Sequence, residues 1–236
     1  MRYWTYSEIK DKVRGDLGIE QEEFVSASEM MGYCNAAIDD AESDIHSIYE
    51  DYFLTTSVIT TVADQSAYTL PENIYASKIR GVVMLGSNLY TIKRYSSTDS
   101  MFEVIESDKT SSNSDFKYLL TNNSAASGIE MELVPVPRAT GSEIKLYYIR
   151  NSNRMVDSTS LCDIPEFVDY IIQFMKVRCY EKEGHPNTQL AVGILEYKKK
   201  NMINTLSNMV PDGDNLLQQD ASFYFDMGDG VEEHIY

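Results

Sequence analysis

The residue types that perform acid–base, nucleophilic or metal chemistry are few in this chain, and they do not converge. His46 falls in a long helical pattern, His185 in a turn between two helices and His234 near the C-terminus, so no pair has the i, i+4 spacing that seats a metal on one helical face. Structural or surface roles are read for all three. Cys34, Cys162 and Cys179 are odd in number and lack metal-ligand spacing. Two of them lie on predicted helices where a small apolar side chain fits, and all are read as reduced thiols in a cytosolic setting. Asp39-Asp40 could form a carboxylate pair for proton transfer, but the pair falls on the polar side of its helix, where a solvated face is the simpler reading. Neither a Gly-rich phosphate loop nor a G-x-S-x-G elbow occurs, which leaves a nucleotide enzyme or a serine hydrolase without support. Lys198-Lys199-Lys200, the densest basic run, fans over a wide arc of its helix and reads as exposed surface, with contact to an acidic neighbour as the alternative. No catalytic residue, metal ligand or cofactor is assigned, and the chain is expected not to be an enzyme.

One set of residues resists so bland a reading. Leu216, Leu217, Phe223, Tyr224, Phe225, Ile235 and Tyr236 follow the last predicted helix in a stretch that holds acids but no Lys or Arg. A merely solvated tail is poor in aromatics. Apolar anchors separated by acids read as a strap that binds along a neighbouring surface, and these seven are the candidate partner-binding residues.

The elements that would carry such a strap are legible from periodicity. Thr5 with Glu8 and Ser26 with Glu29 form capping boxes, the first opening a short helix from Thr5 to Gly15, the second a long one from Ser26 to Leu54. Met31, Cys34, Ile38, Ala41, Ile45, Ile48 and Tyr52 line one face of that long helix, roughly 43 Å at 1.5 Å per residue. After Leu54 the period changes to 2. Val58 to Val62 and Tyr68 to Leu70 are expected as one hairpin, Lys78 to Leu85 and Leu89 to Lys93 as a second about Gly86-Ser87-Asn88. A short helix is expected over Thr98 to Ser107 and a polar loop over Ser107 to Ser114. Phe116 to Leu120, Ile129 to Val134 and Glu143 to Ile149 complete the strands, the last two joined by a turn at Arg138 to Ser142. Helices resume with Asp163, Pro165 and Glu166 as cap, first-turn proline and cap partner; Val168, Ile171, Ile172, Met175 and Cys179 are the inner stripe. Gly184-His185-Pro186 turns into a last helix from Asn187 to Met209, with Leu190, Ile194, Ile203, Leu206 and Val210 expected inside.

The fold class is therefore α+β: a four-helix bundle from residues 1–54 and 161–210, a mostly antiparallel β sandwich or barrel-like insertion over 55–160, and an extended C-terminal arm over 211–236. With 236 residues, 43% of them hydrophobic, the chain can bury a real core. Its 37 acidic and 20 basic residues give a net charge of −17, which argues against gripping nucleic acid by its phosphates. Neither a signal peptide nor a bilayer-spanning apolar run is read, so a soluble protein without membrane contact is expected.

The order of parts resembles a known family. A short helix, a long helix, strands holding Ala67-Tyr68-Thr69-Leu70-Pro71 and Ile79 to Met84, then Ile164-Pro165-Glu166-Phe167 opening a helical hairpin with a polar tail, resembles the head-to-tail adaptor proteins of tailed bacteriophages from Met1 to about Val210. The resemblance implies a structural virion protein, assembled in the host cytoplasm into a ring beneath the portal, commonly of twelve copies. It further implies that the ring continues the DNA channel without specific binding, meets the next tail component, and reaches the portal with a C-terminal extension, here Asp214 to Tyr236. Two other readings compete: a carbohydrate- or receptor-binding tail module using Tyr90, Tyr95, Tyr118 and Tyr147, and a wall-degrading hydrolase using two carboxylates. The acidic excess carries a test of its own: titration with duplex DNA at moderate salt is expected to show no binding, and tight binding that weakens steeply with salt would contradict it.

Overall fold

Both capping boxes are made in full. Thr5 Oγ1 accepts from the Glu8 N–H at 3.2 Å while the Glu8 carboxylate accepts from the Thr5 N–H at 2.9 Å, which opens α1 (Tyr6–Leu17). The helix runs past Gly15 and stops at Gly18, whose φ of 67° is a left-handed conformation that glycine takes without a Cβ penalty. Ser26 and Glu29 repeat the arrangement at the start of α2 (Ala27–Ile48), at 3.3 and 2.9 Å. The computed structural model describes residues 2–18, 24–86, 89–95, 116–123 and 128–210.

Helix α2 ends six residues before the expected Leu54. Tyr49 leaves helical geometry, Glu50–Phe53 forms a 3-10 turn, and Leu54 already pairs with Ile149 in a sheet. The β-branched run after Leu54 finds ladder partners, and that pairing overrides the helical pattern at Tyr52. The buried stripe of α2 is Met30, Cys34, Ala37, Ile38, Ala41, Ile45 and His46, so Met30 lies inside where Met31 was expected, and Ile48 is only half-buried.

A 3-10 turn at Pro165–Phe167 leads into α3 (Val168–Glu183). The expected Asp163 cap is not made. No side chain caps either turn; instead Pro165 occupies the first turn and the Phe167 N–H donates to the Ile164 carbonyl at 3.0 Å. The expected stripe is buried, and so are Tyr170, Gln173 and Val177 on the remaining sides. A helix apolar nearly all round belongs in a core, and α3 packs against α1, α2 and α4 (Thr188–Met209). Gly184, at φ 67°, ends α3 and lets the chain reverse. Gln173 donates to the Ala191 carbonyl at 2.9 Å, so its buried amide is satisfied across that reversal.

The inner face of α4 differs from expectation. Ala191, Met202 and Leu206 are buried, whereas Leu190 and Ile194 are exposed and Ile203 and Val210 half-buried. On a 3.6-residue helix Leu190 lies about 160° from Leu206, so both cannot face one neighbour. On α2, Asn35 makes paired bonds of 3.0 and 2.9 Å to the backbone of buried Met155, which ties that helix to the segment leading to Pro165.

Strands β1 (Leu54–Thr60), β3 (Ile74–Leu85), β4 (Tyr90–Thr91) and β8 (Glu143–Arg150) form one antiparallel sheet in the order β1-β8-β3-β4. Strands β2 (Ala67–Thr69), β5 (Lys93–Arg94), β6 (Lys117–Asn123) and β7 (Gly128–Val134) form a second, β2-β7-β6-β5, antiparallel except where β5 meets β6. Neither sheet closes into a barrel among the described residues. The expected pairing of β3 with β4 is present. The other expected hairpin, β1 with β2, is not: β1 pairs with β8 and β2 with β7, each in a different sheet. At Thr61 to Gln65 the chain crosses from one sheet to the other, alongside the connection from β7 to β8. The Thr61 N–H donates to Ser142 O at 2.8 Å, Asp64 takes a positive φ of 61°, and its N–H donates to Pro137 O at 2.9 Å. Val82, Met84, Ile144 and Leu146 from one sheet and Tyr118, Met131 and Leu133 from the other share one buried cluster. Strand β3 starts earlier than expected and carries a bulge at Ala76 and Ser77, both at positive φ. The helix expected over 98–107, the loop over 107–114 and the arm over 211–236 lie outside the described residues.

Contacts divide the chain into two compact units, Met1–Tyr49 with Arg154–Tyr236, and Glu50–Asn153. The helical unit is discontinuous in sequence. Ile171→Ala is expected to cost roughly 2–5 kcal/mol, because Ile171 is fully buried on the helix that touches the other three. Leu190→Ala should change stability by no more than about 0.5 kcal/mol. Chemical denaturation of the two variants checks both.

Candidate functional site

Leu216, Leu217, Phe223, Tyr224, Phe225, Ile235 and Tyr236, the residues singled out for partner binding, all lie outside the described residues. What the structure brings together is a polar node inside the helical unit and an apolar stripe on its surface.

The node centres on Asp40. Its carboxylate accepts from Tyr170 Oη of α3 in a short hydrogen bond and from Lys199 Nζ of α4 at 2.9 Å; Lys199 also meets Asp44 at 3.1 Å. Burial opposes the charge of Asp40, yet the Tyr170 hydroxyl and the Lys199 ammonium outweigh it and hold the carboxyl below the usual range. The same burial, with Asp40 beside it, pushes the Tyr170 phenol up. Lys199 is raised in turn: burial works against its charge, and bonds to Asp40 and Asp44 more than offset that. Asp39 pairs with Arg154 at 2.7 Å. The Asp39 and Asp40 side chains keep 43% and 38% of their surface exposed, so they lie on a wetted face and also tie α2 to other parts of its unit. Lys198 donates to the Asp169 carbonyl at 3.0 Å, so two of the three consecutive lysines contact the bundle.

The remaining reactive types are structural. Cys34, Cys162 and Cys179 are buried free thiols, which desolvation pushes up to about 12, 11 and 11, far from the thiolate a nucleophile needs. His46 is buried with Nε2 at 3.3 Å from Glu42, and His185 stacks on Tyr180 at 4.6 Å. His234 lies outside the described residues. No group of His, Cys, Asp and Glu able to hold a metal ion occurs among the described residues, and no described helix is long and apolar enough to cross a membrane. Two shallow grooves of about 310 and 320 Å³ in the β unit contain neither His nor Cys. Of the four tyrosines that would form a sugar platform, Tyr95 and Tyr118 are each only 6% exposed and belong to buried clusters, so the four do not present one face.

The surface stripe is on α4. Leu190, Ile194 and Tyr197 are 67%, 42% and 66% exposed. Beside them an open groove of about 250 Å³ runs between α4 and the start of α3, with Phe167, Tyr170, Tyr197 and Met202 in its wall. The spacing of four and three is visible in the sequence, where Leu190 and Ile194 read as inner-face residues. Apolar residues occur on both sides of α4, and only the position of Lys199 opposite Asp40 and Asp44 tells which side is buried.

A model described as SU10 adaptor protein matches residues 4–217, nearly the whole chain and both units. The chain belongs to the SU10 adaptor family. No curated protein matches it. A phage head-to-tail adaptor is a structural component of the virion that works among head and tail proteins. The match takes in Leu216 and Leu217 and ends before Phe223.

The node sets a pH dependence. Asp40 has a folded pKa below its unfolded value of about 3.9, so its stabilising contribution is complete above that value and is lost as pH falls through the folded one. The Lys199 contribution runs the other way, complete below its unfolded pKa of about 10.4 and lost only as pH rises through the raised value. Asp40→Asn should therefore lower the urea midpoint at pH 7 and shrink the difference between midpoints at pH 7 and pH 3. An unchanged difference would show that Asp40 does not govern acid unfolding.

Proposed function

We propose that the protein assembles as a ring of twelve copies beneath the portal, continuing the DNA channel and joining capsid to tail as the head–tail connector of the virion. The helical bundle builds the ring, the β region is a sandwich-like insertion within it, and residues 211–236 form an extended arm. Leu216, Leu217, Phe223, Tyr224, Phe225, Ile235 and Tyr236 would grip the portal or a neighbouring subunit. The match to the adaptor family over residues 4–217 carries this reading. Two features support it. The net charge of −17 suits a channel wall past which phosphates slide without being held. The arm combines apolar anchors with acids, a composition better served by a partner's surface than by water.

Negative-stain images of the purified protein, alone and mixed with portal, test the ring. Rings with a central opening that stack under the portal are expected; a protein that stays monomeric and apart from the portal would overturn the proposal. Deleting Asp214 to Tyr236 should leave the melting temperature nearly unchanged while greatly weakening attachment to portal-bearing heads. Heads bound at parental affinity by the shortened protein would show that the arm is not the anchor.

A further inference from the structure

Helix α4 has an apolar line on the side that its own bundle does not cover. Leu190, Ile194 and Tyr197 are exposed and aligned, and Tyr197 also forms one wall of the groove shared with Phe167 and Met202. Lys198 and Lys200 lie on opposite flanks of this line, about 80° to either side of Leu190 by helical geometry. Lys200 is exposed, with no ion pair among the described residues, in contrast to Lys199, which is held by Asp40 and Asp44. The line is thus apolar along its centre with a lysine on each flank, in a protein that is otherwise strongly acidic, and the groove beside it also carries Glu166 and Asp169 in its wall.

The segment that begins directly after α4 has the complementary chemistry. Residues 211–236 hold seven acids and no Lys or Arg, and Phe223-Tyr224-Phe225 is framed by Asp220 and Asp226. Twenty-six residues extend to at most roughly 90 Å, while the stretch of α4 from Leu190 to Met209 measures roughly 29 Å, so the arm has the reach to leave its own bundle and lie along another.

We propose that the outer face of α4 receives the C-terminal arm of a second copy of this chain. Phe223, Tyr224 and Phe225 lie along Leu190, Ile194 and Tyr197, with one ring entering the groove beside Phe167 and Met202. Asp220 and Asp226 meet Lys200 and Lys198. The inference rests on the ring reading: when every copy gives one arm and receives one, the contact is heterologous and closes without a two-fold axis.

The test uses the full chain with Tyr224 replaced by the photo-crosslinking residue p-benzoylphenylalanine, mixed with an equal amount of isotopically heavy protein. Crosslinked peptides are then mapped by mass spectrometry. Heavy-to-light crosslinks from position 224 into residues 190–205 are expected. Crosslinks confined to single copies, or directed to other elements, would overturn the proposal. Ile194→Glu combined with Lys200→Glu places like charge against the arm at two exposed positions, and should cut the heavy-to-light yield roughly tenfold without shifting the melting temperature. Lys200→Arg should keep the yield, and an unchanged yield in the double variant would also overturn the assignment. Images of the same samples separate the two readings: rings without crosslinks at α4 refute only the arm's placement, while the absence of both refutes the ring as well.

Discussion

The helical unit depends on α3 having almost no wet side. Val168, Tyr170, Ile171, Ile172, Gln173, Met175, Val177 and Cys179 are all buried, so this helix cannot be stable until α1, α2 and α4 are in place around it. Those three come from both ends of the chain. The unit therefore assembles cooperatively, and its polar details exist to let that happen: Gln173 is satisfied by Ala191, and Tyr170 by Asp40. A buried helix with two polar side chains would be costly without those partners.

Charge is organised around the same need. The chain has nearly twice as many acids as bases, yet many of its cations stand between elements of one unit. Lys176 pairs with Asp16 and Lys182 with Glu29, joining α3 to α1 and to the cap of α2, while Lys199 joins α4 to α2. Lys182, with the Ser26 backbone and hydroxyl, holds the Glu29 carboxyl down to about 2. In the β unit, Lys78 and Arg80 pair with Glu50 and Asp51 of the 3-10 turn. Each exposed pair contributes little alone. Together they draw positive charge inward and leave an acidic exterior.

Local signals were legible where local physics decides. Both capping boxes, the glycine stop at Gly184, the alternation in β7 and β8 and the stripe of α3 follow from interactions within a few residues. Strand partners did not. A turn of suitable length between β1 and β2 reads as a hairpin, but Thr61 and Asp64 bond to the β7–β8 connection, and nothing near them in sequence encodes that. The end of α2 failed for the same reason, since Leu54 obeys Ile149. Asp39 and Asp40 are wetted as their polarity suggests, but polarity alone does not reveal that Arg154 and Lys199 share them with water. The family, by contrast, was legible in the order of elements, which survives errors in how strands pair.

The pairing of β1 with β8 also orders events in time. Leu54 meets Ile149 across 95 residues of chain, so the first strand to leave the ribosome waits, with one long edge unsatisfied, for the last strand of its unit. The helices behave alike, α1 and α2 standing idle until α3 and α4 emerge. The β unit, contiguous over Glu50–Asn153, can close as soon as β8 has emerged, whereas the helical unit waits for α3 and α4 and closes last. Until then the apolar stripe of α2, ready at Ile48, stays uncovered while the whole β unit is made.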